Sequence, residues 1–135
     1  MFTLEISVTE KCNLGCPYCY VANRTTLMTP ETFDNALPQL HKLMERSGDR
    51  DYHVSFFGGE PLLNFDLIKH AVPKLRADKK CKGINIITNL TMIDDEKADF
   101  LQSNNVGVSL AVTSIIPFEN DIKLSLTVFI ESGSF

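Results

Sequence analysis

Apolar and polar residues alternate over residues 4–8, where Glu5 and Ser7 separate Leu4, Ile6 and Val8, the period of a half-buried strand. The period then lengthens. Thr29-Pro30-Glu31 predicts a helix start: a hydroxyl cap, a proline at the first helical position and an acid at the positive end of the dipole. Behind it Phe33, Ala36, Leu37, Leu40, Leu43 and Met44 recur at helical spacing, and Pro38 is expected to kink that helix or remove one backbone bond. A second strand follows at 53–57. A second helix starts near Asn64 and buries Leu67, Ile68, Ala71, Val72 and Leu75, with Pro73 inside it. A third strand is read at 84–88 and a fourth at 106–110. Between them Asp94-Asp95-Glu96 opens a helix carrying Ala98 and Leu101. Residues 123–130 alternate Leu124, Leu126, Val128 and Ile130 with polar residues and Phe129, and read as one more strand. No strong helix pattern precedes it, so it is expected to pair antiparallel with a neighbour or to cover an edge.

Strands separated by helical crossovers predict a parallel sheet with right-handed connections. The fold class expected is α/β, a partial (β/α) TIM-like barrel of about four strand–helix units plus a divergent C-terminal strand. In such sheets ligands gather beyond the carboxyl ends of the strands. Four polar segments fall at such ends: the cysteine run 12–19, the turn Gly58-Gly59-Glu60-Pro61, the pair Thr88 and Asn89, and Ser109.

Composition narrows the setting. The 135 residues are 44% hydrophobic and 22% charged, enough for one core and short for two. No charge-led apolar stretch opens the sequence and no apolar run reaches membrane-spanning length, so no membrane partner is expected. A net charge of −4, with 13 basic residues in no long block, gives no sign of nucleic-acid binding. Three of the four cysteines lie too close together for a relaxed disulfide, which fits a reducing cytoplasm. The fourth, Cys81, lies in the basic stretch Lys79-Lys80-Cys81-Lys82 and is read as an incidental surface thiol. His41, His53 and His70 have no evident partners and are assigned to surface or packing roles.

The chemistry begins in Cys12-Asn-Leu-Gly-Cys16-Pro-Tyr-Cys19. Three thiolates at that spacing suit soft metals, iron–sulfur clusters foremost. A cubane cluster has four irons, so three protein ligands leave one iron open to a non-protein partner. Gly15 lets the backbone fold sharply between ligands. The competing reading is zinc with a histidine such as His41 or His53 as fourth ligand.

CNLGCPYCY resembles the CxxxCxxC signature of the radical S-adenosylmethionine (SAM) superfamily, and GGEP resembles its SAM-binding glycine-rich loop. Residues 87–94 further resemble a run of the anaerobic sulfatase-maturase branch, whose relatives include SPASM-type peptide-modifying proteins. Val108-Ser109-Leu110 falls where that branch has a serine-bearing strand. The resemblance implies a [4Fe–4S] cluster on Cys12, Cys16 and Cys19, with SAM's methionine end on the fourth iron. Tyr18 would pack near the adenine. Gly58 and Gly59 would let the backbone approach the methionine end, with their carbonyls and the Glu60 carboxylate accepting from its ammonium. Pro61 would stiffen the loop exit, Thr88 and Asn89 would line the pocket floor, and Ser109 would reach the ribose or carboxylate. The implied activity is reductive cleavage of SAM to a 5′-deoxyadenosyl radical that abstracts hydrogen from a peptide or protein, with an electron donor as second partner. The alternative is an iron–sulfur or zinc binding module without catalysis.

The pattern departs from the family at three places. Leu90 stands where the family has glycine, Ser109 is followed by Leu110-Ala111-Val112 in place of x-Asp-Gly, and no arginine follows Arg76. Residues 1–110 are accordingly expected to form an incomplete barrel core, and 111–135 a divergent tail. The loss of pattern after Leu110 leads to the expectation of a truncated gene product, whose open barrel edge would favour self-association.

Overall fold

The computed structural model describes residues 2–11, 26–114 and 124–130, and for 111–114 and 124–130 the backbone only. The elements are β1 (Phe2–Thr9), α1 (Pro30–Ser47), β2 (Tyr52–Gly58), a 3-10 turn (Pro61–Asn64), α2 (Phe65–Ala77), β3 (Cys81–Thr88), α3 (Asp95–Ser103), β4 (Gly107–Ser114) and β5 (Leu124–Ile130). The five strands form one sheet in the order β1-β2-β3-β4-β5. The first four are parallel, with Leu4 opposite Val54, Val54 opposite Ile84 and Ile86 opposite Val108. β5 pairs antiparallel to β4, with Leu110 opposite Val128. The result is the open α/β sheet of a partial barrel, including the antiparallel final strand.

Sequential strands joined by right-handed helical crossovers put the helices on one face. Tyr52, Val54, Phe56, Ile84 and Ile86 point into that face and pack with Phe33, Met44, Leu67, Ile68 and Leu75. All five residues expected on the inner side of α2 are buried. α1 starts as expected, with the Thr29 hydroxyl accepting from the Thr32 N–H at 3.2 Å and Pro30 in the first turn. Its buried stripe is narrower than expected. Phe33, Leu40 and Met44 are buried and Leu37 packs partly, while Ala36 is exposed and Leu43 is 54% exposed. Positions 36 and 43 each stand a third of a turn from 37 and 44, off the contact stripe. Pro38 and Pro73 both lie inside continuous helices and on exposed sides. Burying a large apolar side chain gives about 1.5–3 kcal/mol, so three on α1 outweigh the ~3 kcal/mol of an interior proline. In α3 Leu101 is buried, but Ala98 is exposed, and Phe100 takes its place edge-on to Phe65 with centroids 5.4 Å apart.

Cys81 is not a surface thiol. It is buried as the first residue of β3, opposite Tyr52. The register shifts between Tyr52 and His53, so a bulge carries Cys81 onto the face of Val54, a parity that strict alternation from Ile84 would not give. Burial pushes its thiol pKa up, which suits an inert packing residue.

Two histidines also have partners. His70 Nε2 lies 2.9 Å from Asp34 Oδ1, which also accepts from Lys74, so α1 and α2 are tied by a charged cluster. His41 Nε2 lies 2.8 Å from Asp78 Oδ2, which accepts from the Tyr52 hydroxyl at 2.7 Å. Burial works to raise the Asp78 pKa, but hydrogen bonds from the Lys80 N–H, Tyr52 and His41 outweigh it and hold it below the ordinary carboxylate value. Burial and the adjacent Asp78 carboxylate push the Tyr52 pKa up.

Asp78→Asn is expected to cost about 1–3 kcal/mol at neutral pH, because it weakens the acceptor for a buried tyrosine hydroxyl. A carboxylate with a depressed folded pKa stabilises above its unfolded value and loses that contribution as pH falls through the folded one. Urea unfolding should therefore separate Asp78→Asn from the parent at pH 7 and bring the two together below about pH 4.

Candidate functional site

The carboxyl ends of β1, β2 and β3 meet on one rim. β1 ends in a bulge, since Ser7 pairs with Phe57 but Thr9 with Gly58, and Val8 and Thr9 are both buried. From there residues 9–11 lead into the cysteine segment and residues 26–28 lead out of it. The two arms form a stem. The Met28 N–H donates to the Val8 carbonyl at 2.9 Å, the Glu10 N–H to the Thr26 carbonyl at 3.2 Å, and the Thr9 hydroxyl to the Thr26 carbonyl at 2.9 Å. Thr9 Oγ1 also accepts from the Lys11 N–H at 2.9 Å. Cys12, Cys16, Tyr18 and Cys19 themselves lie outside the described residues.

The glycines of the second loop press against this stem. The Gly59 N–H donates to the Thr9 carbonyl at 2.8 Å and the Glu60 N–H to the Lys11 carbonyl at 2.9 Å. A Cβ on Gly58 would overlap the Thr9 carbonyl oxygen, and one on Gly59 the Lys11 carbonyl oxygen, with Glu10 O a further 2.9 Å contact. Gly58 also has φ +145°, a conformation that side chains disfavour. Pro61 is buried and starts the 3-10 turn.

Glu60 ties the loop to β3. Its side chain is 0% exposed. Oε1 accepts from the Leu62 N–H at 3.2 Å and from the Thr88 hydroxyl, and Oε2 accepts from the Asn89 N–H at 2.8 Å. Thr88 continues the buried row of Ile84 and Ile86, so its hydroxyl serves Glu60. Asn89 Oδ1 accepts from the Thr91 N–H at 3.0 Å, which closes the turn after β3. Leu90 in that turn has φ 61°. The family's glycine at this position answers that left-handed conformation, and leucine adopts it at a cost of about 1–2 kcal/mol.

Ser109 is not at the end of its strand, because β4 runs on to Ser114. It is nevertheless level with the rim through its pairing with Ile87. It is buried on the face without helices, where its hydroxyl accepts from Asn85 Nδ2 at 3.0 Å. Asn85 is a polar residue of an alternating strand, and only its cross-strand pairing with Ser109 marks it as part of the site. Asn64 marks the start of α2, as the sequence pattern suggests. Its side chain makes no cap bond, and Nδ2 instead donates to the Val8 carbonyl at 2.8 Å and the Met28 carbonyl at 3.0 Å, holding both arms of the stem. His41 and His53 lie at the opposite, amino ends of the strands, His41 beside Tyr52 and His53 second in β2. A seven-residue strand separates those amino ends from the carboxyl rim by about 20 Å.

This arrangement has the form of a barrel half that gathers ligand-holding loops at one end. The chain belongs to the radical SAM superfamily: the family model of that description matches residues 6–122. It is 25% identical over 126 residues to the radical SAM cyclopropyl synthase TigE of Paramaledivibacter caminithermalis, covering 82% of this chain and 27% of that protein. It is 33% identical over 114 residues to a probable GTP 3′,8-cyclase of Methanocaldococcus jannaschii, covering 80% and 36%. Among solved structures it is similar in fold to anSMEcpe with bound AdoMet and the Cp18Cys peptide, at TM-score 0.61 and 24% identity over 79% of this chain and 30% of that one. The chain spans about a third of the length of the relatives it matches.

Gly59→Ala is expected to separate the loop from the stem and to destabilise the chain by about 1–3 kcal/mol, as overpacking against fixed backbone does. Gly48→Ala is the control, since a Cβ there meets nothing within 4 Å and only its φ of +78° is penalised. Leu90→Gly should raise the midpoint of thermal unfolding, by up to about 1 kcal/mol in stability, while Leu90→Ala, which keeps the strained φ, should not.

Proposed function

We propose that this chain forms the SAM-binding end of a radical SAM enzyme of the sulfatase-maturase or SPASM-type peptide-modifying branch, acting on a peptide or protein in the cytoplasm with a one-electron donor. The observation that carries the reading is the rim itself: the stem of the cysteine segment, the loop at 58–60 and the end of β3 are hydrogen-bonded into one unit. A [4Fe–4S] cluster fits the donor chemistry, since Cys12, Cys16 and Cys19 are three soft ligands in one segment whose arms the stem holds together. When bound with one iron open, the cluster supplies the electron for reductive cleavage of SAM's carbon–sulfur bond.

The chain's own residues bind and orient. Gly58 and Gly59 bring backbone to the methionine end of SAM, and Tyr18 packs against the adenine. Ser109, held by Asn85, presents a hydroxyl to the ribose or carboxylate. Glu60, Pro61, Thr88 and Asn89 build the wall between these groups, and the buried side of the sheet keeps water from beneath it. A peptide substrate is supported by the sulfatase-maturase-like run at 87–94 and by the peptide in the anSMEcpe structure. Likeness to GTP 3′,8-cyclases favours a second reading, a nucleotide substrate.

Anaerobic reconstitution with iron and sulfide, followed by electron paramagnetic resonance of the reduced protein, tests the proposal. The expected result is a cluster signal that changes on adding SAM and is abolished in Cys16→Ser, with 5′-deoxyadenosine formed. A signal indifferent to SAM supports the non-catalytic binding module, and zinc on the cysteines with no cluster overturns the reading.

A further inference from the structure

Glu60 is the acid that the family resemblance offers to the ammonium of SAM's methionine end, yet its surroundings assign it other work. Its side chain is 0% exposed, and both carboxylate oxygens already face donors of the chain: Leu62 N–H and the Thr88 hydroxyl on Oε1, Asn89 N–H on Oε2. Its own N–H reaches the Lys11 carbonyl, one residue before Cys12. One residue thus joins the base of the cysteine segment, through its backbone, to the end of β3, through its side chain.

We propose that the Glu60 carboxylate is a positioning group and not a ligand of SAM: it sets the spacing between the cysteine stem and the turn after β3, the two walls between which SAM would lie. This rests on the radical SAM reading above for what the walls hold, but the latch itself belongs to the chain without any cofactor. Removing a wall-to-wall tie shifts both walls. Its loss would therefore weaken every part of a ligand between them, whereas loss of a direct ammonium contact would be felt only by a ligand that carries an ammonium.

The test compares Glu60→Gln and Thr88→Val with the parent chain. Glutamine keeps the size of glutamate but turns an amide N–H₂ toward donors, and valine keeps the shape of Thr88 without its hydroxyl. In the metal-free chain, hydrogen exchange at the Asn89, Gly59 and Glu60 amides should speed up in Glu60→Gln. In the reconstituted, reduced protein the concentration of SAM that changes the cluster signal should rise by about tenfold in Glu60→Gln. Binding of the SAM analogue that lacks the amino group, followed by equilibrium dialysis, should weaken by the same factor. Thr88→Val should reproduce part of the loss, and the double variant should show less than the product of the two. A penalty confined to SAM itself, with the deamino analogue unaffected, overturns the proposal. So does a silent Thr88→Val beside a strongly impaired Glu60→Gln.

If the parent shows no response to SAM, the radical SAM reading fails and exchange decides the latch alone. Faster exchange at Gly59 and Glu60 in Glu60→Gln then upholds it, and unchanged exchange overturns it.

Discussion

A carboxylate taken out of water must find donors inside the protein or destabilise the fold that buries it. Glu60 finds them on two different elements, the turn that follows it and the end of β3, while its backbone N–H is bonded to the arm that follows β1. The need to satisfy one buried acid therefore fixes three chain segments against one another. The glycines before it serve the same geometry, because only residues without a Cβ let the loop lie this close to the carbonyls at 9–11. Asn64 completes the arrangement from below by donating to both arms of the stem. What the family resemblance presents as a list of ligand-facing residues is, in the described residues, first a system of mutual supports.

The two ends of the sheet are held by different means. At the carboxyl rim the ties are neutral donors converging on one acid and on backbone carbonyls. At the amino end Asp78 gathers His41, Tyr52 and the Lys80 N–H, close to buried Cys81. Placing the stabilising cluster away from the rim leaves the rim's polar groups to be arranged by loop geometry, the division expected of barrels that carry chemistry at one end.

Element order, strand direction and the inner face of α2 were legible because each rests on a period sustained over several residues, as with Leu67, Ile68, Ala71, Val72 and Leu75. The antiparallel β5 was legible from an absent helix. What escaped the sequence was set by single-residue events. The bulge before His53 reverses the parity that would have exposed Cys81, and a third of a turn separates buried Met44 from exposed Leu43. Partnerships across the chain escaped as well: His41 with Asp78 and His70 with Asp34 join residues whose proximity only the packed helices create. Of the candidate site, the segments were legible by their motifs, but the internal bonds of Glu60, Thr88 and Asn64 depend on the register between strands. Pattern carries the strands and not their stagger.

The strand pairings also differ in how much chain each one closes. The span shrinks steadily from Leu4 and Val54, through Val54 and Ile84, to Ile86 and Val108, and is shortest between Leu110 and Val128. Loop closure costs about 0.6 kcal/mol more for each doubling of length, so the entropic demand is greatest at β1, which stands at one end of the five-stranded order. Contact order thus runs opposite to chain order. The strand that leads into the cysteines is the one whose docking gains least from local contacts, and a metal held by Cys12, Cys16 and Cys19 would close only a short loop nested inside the long one that β1 and β2 span.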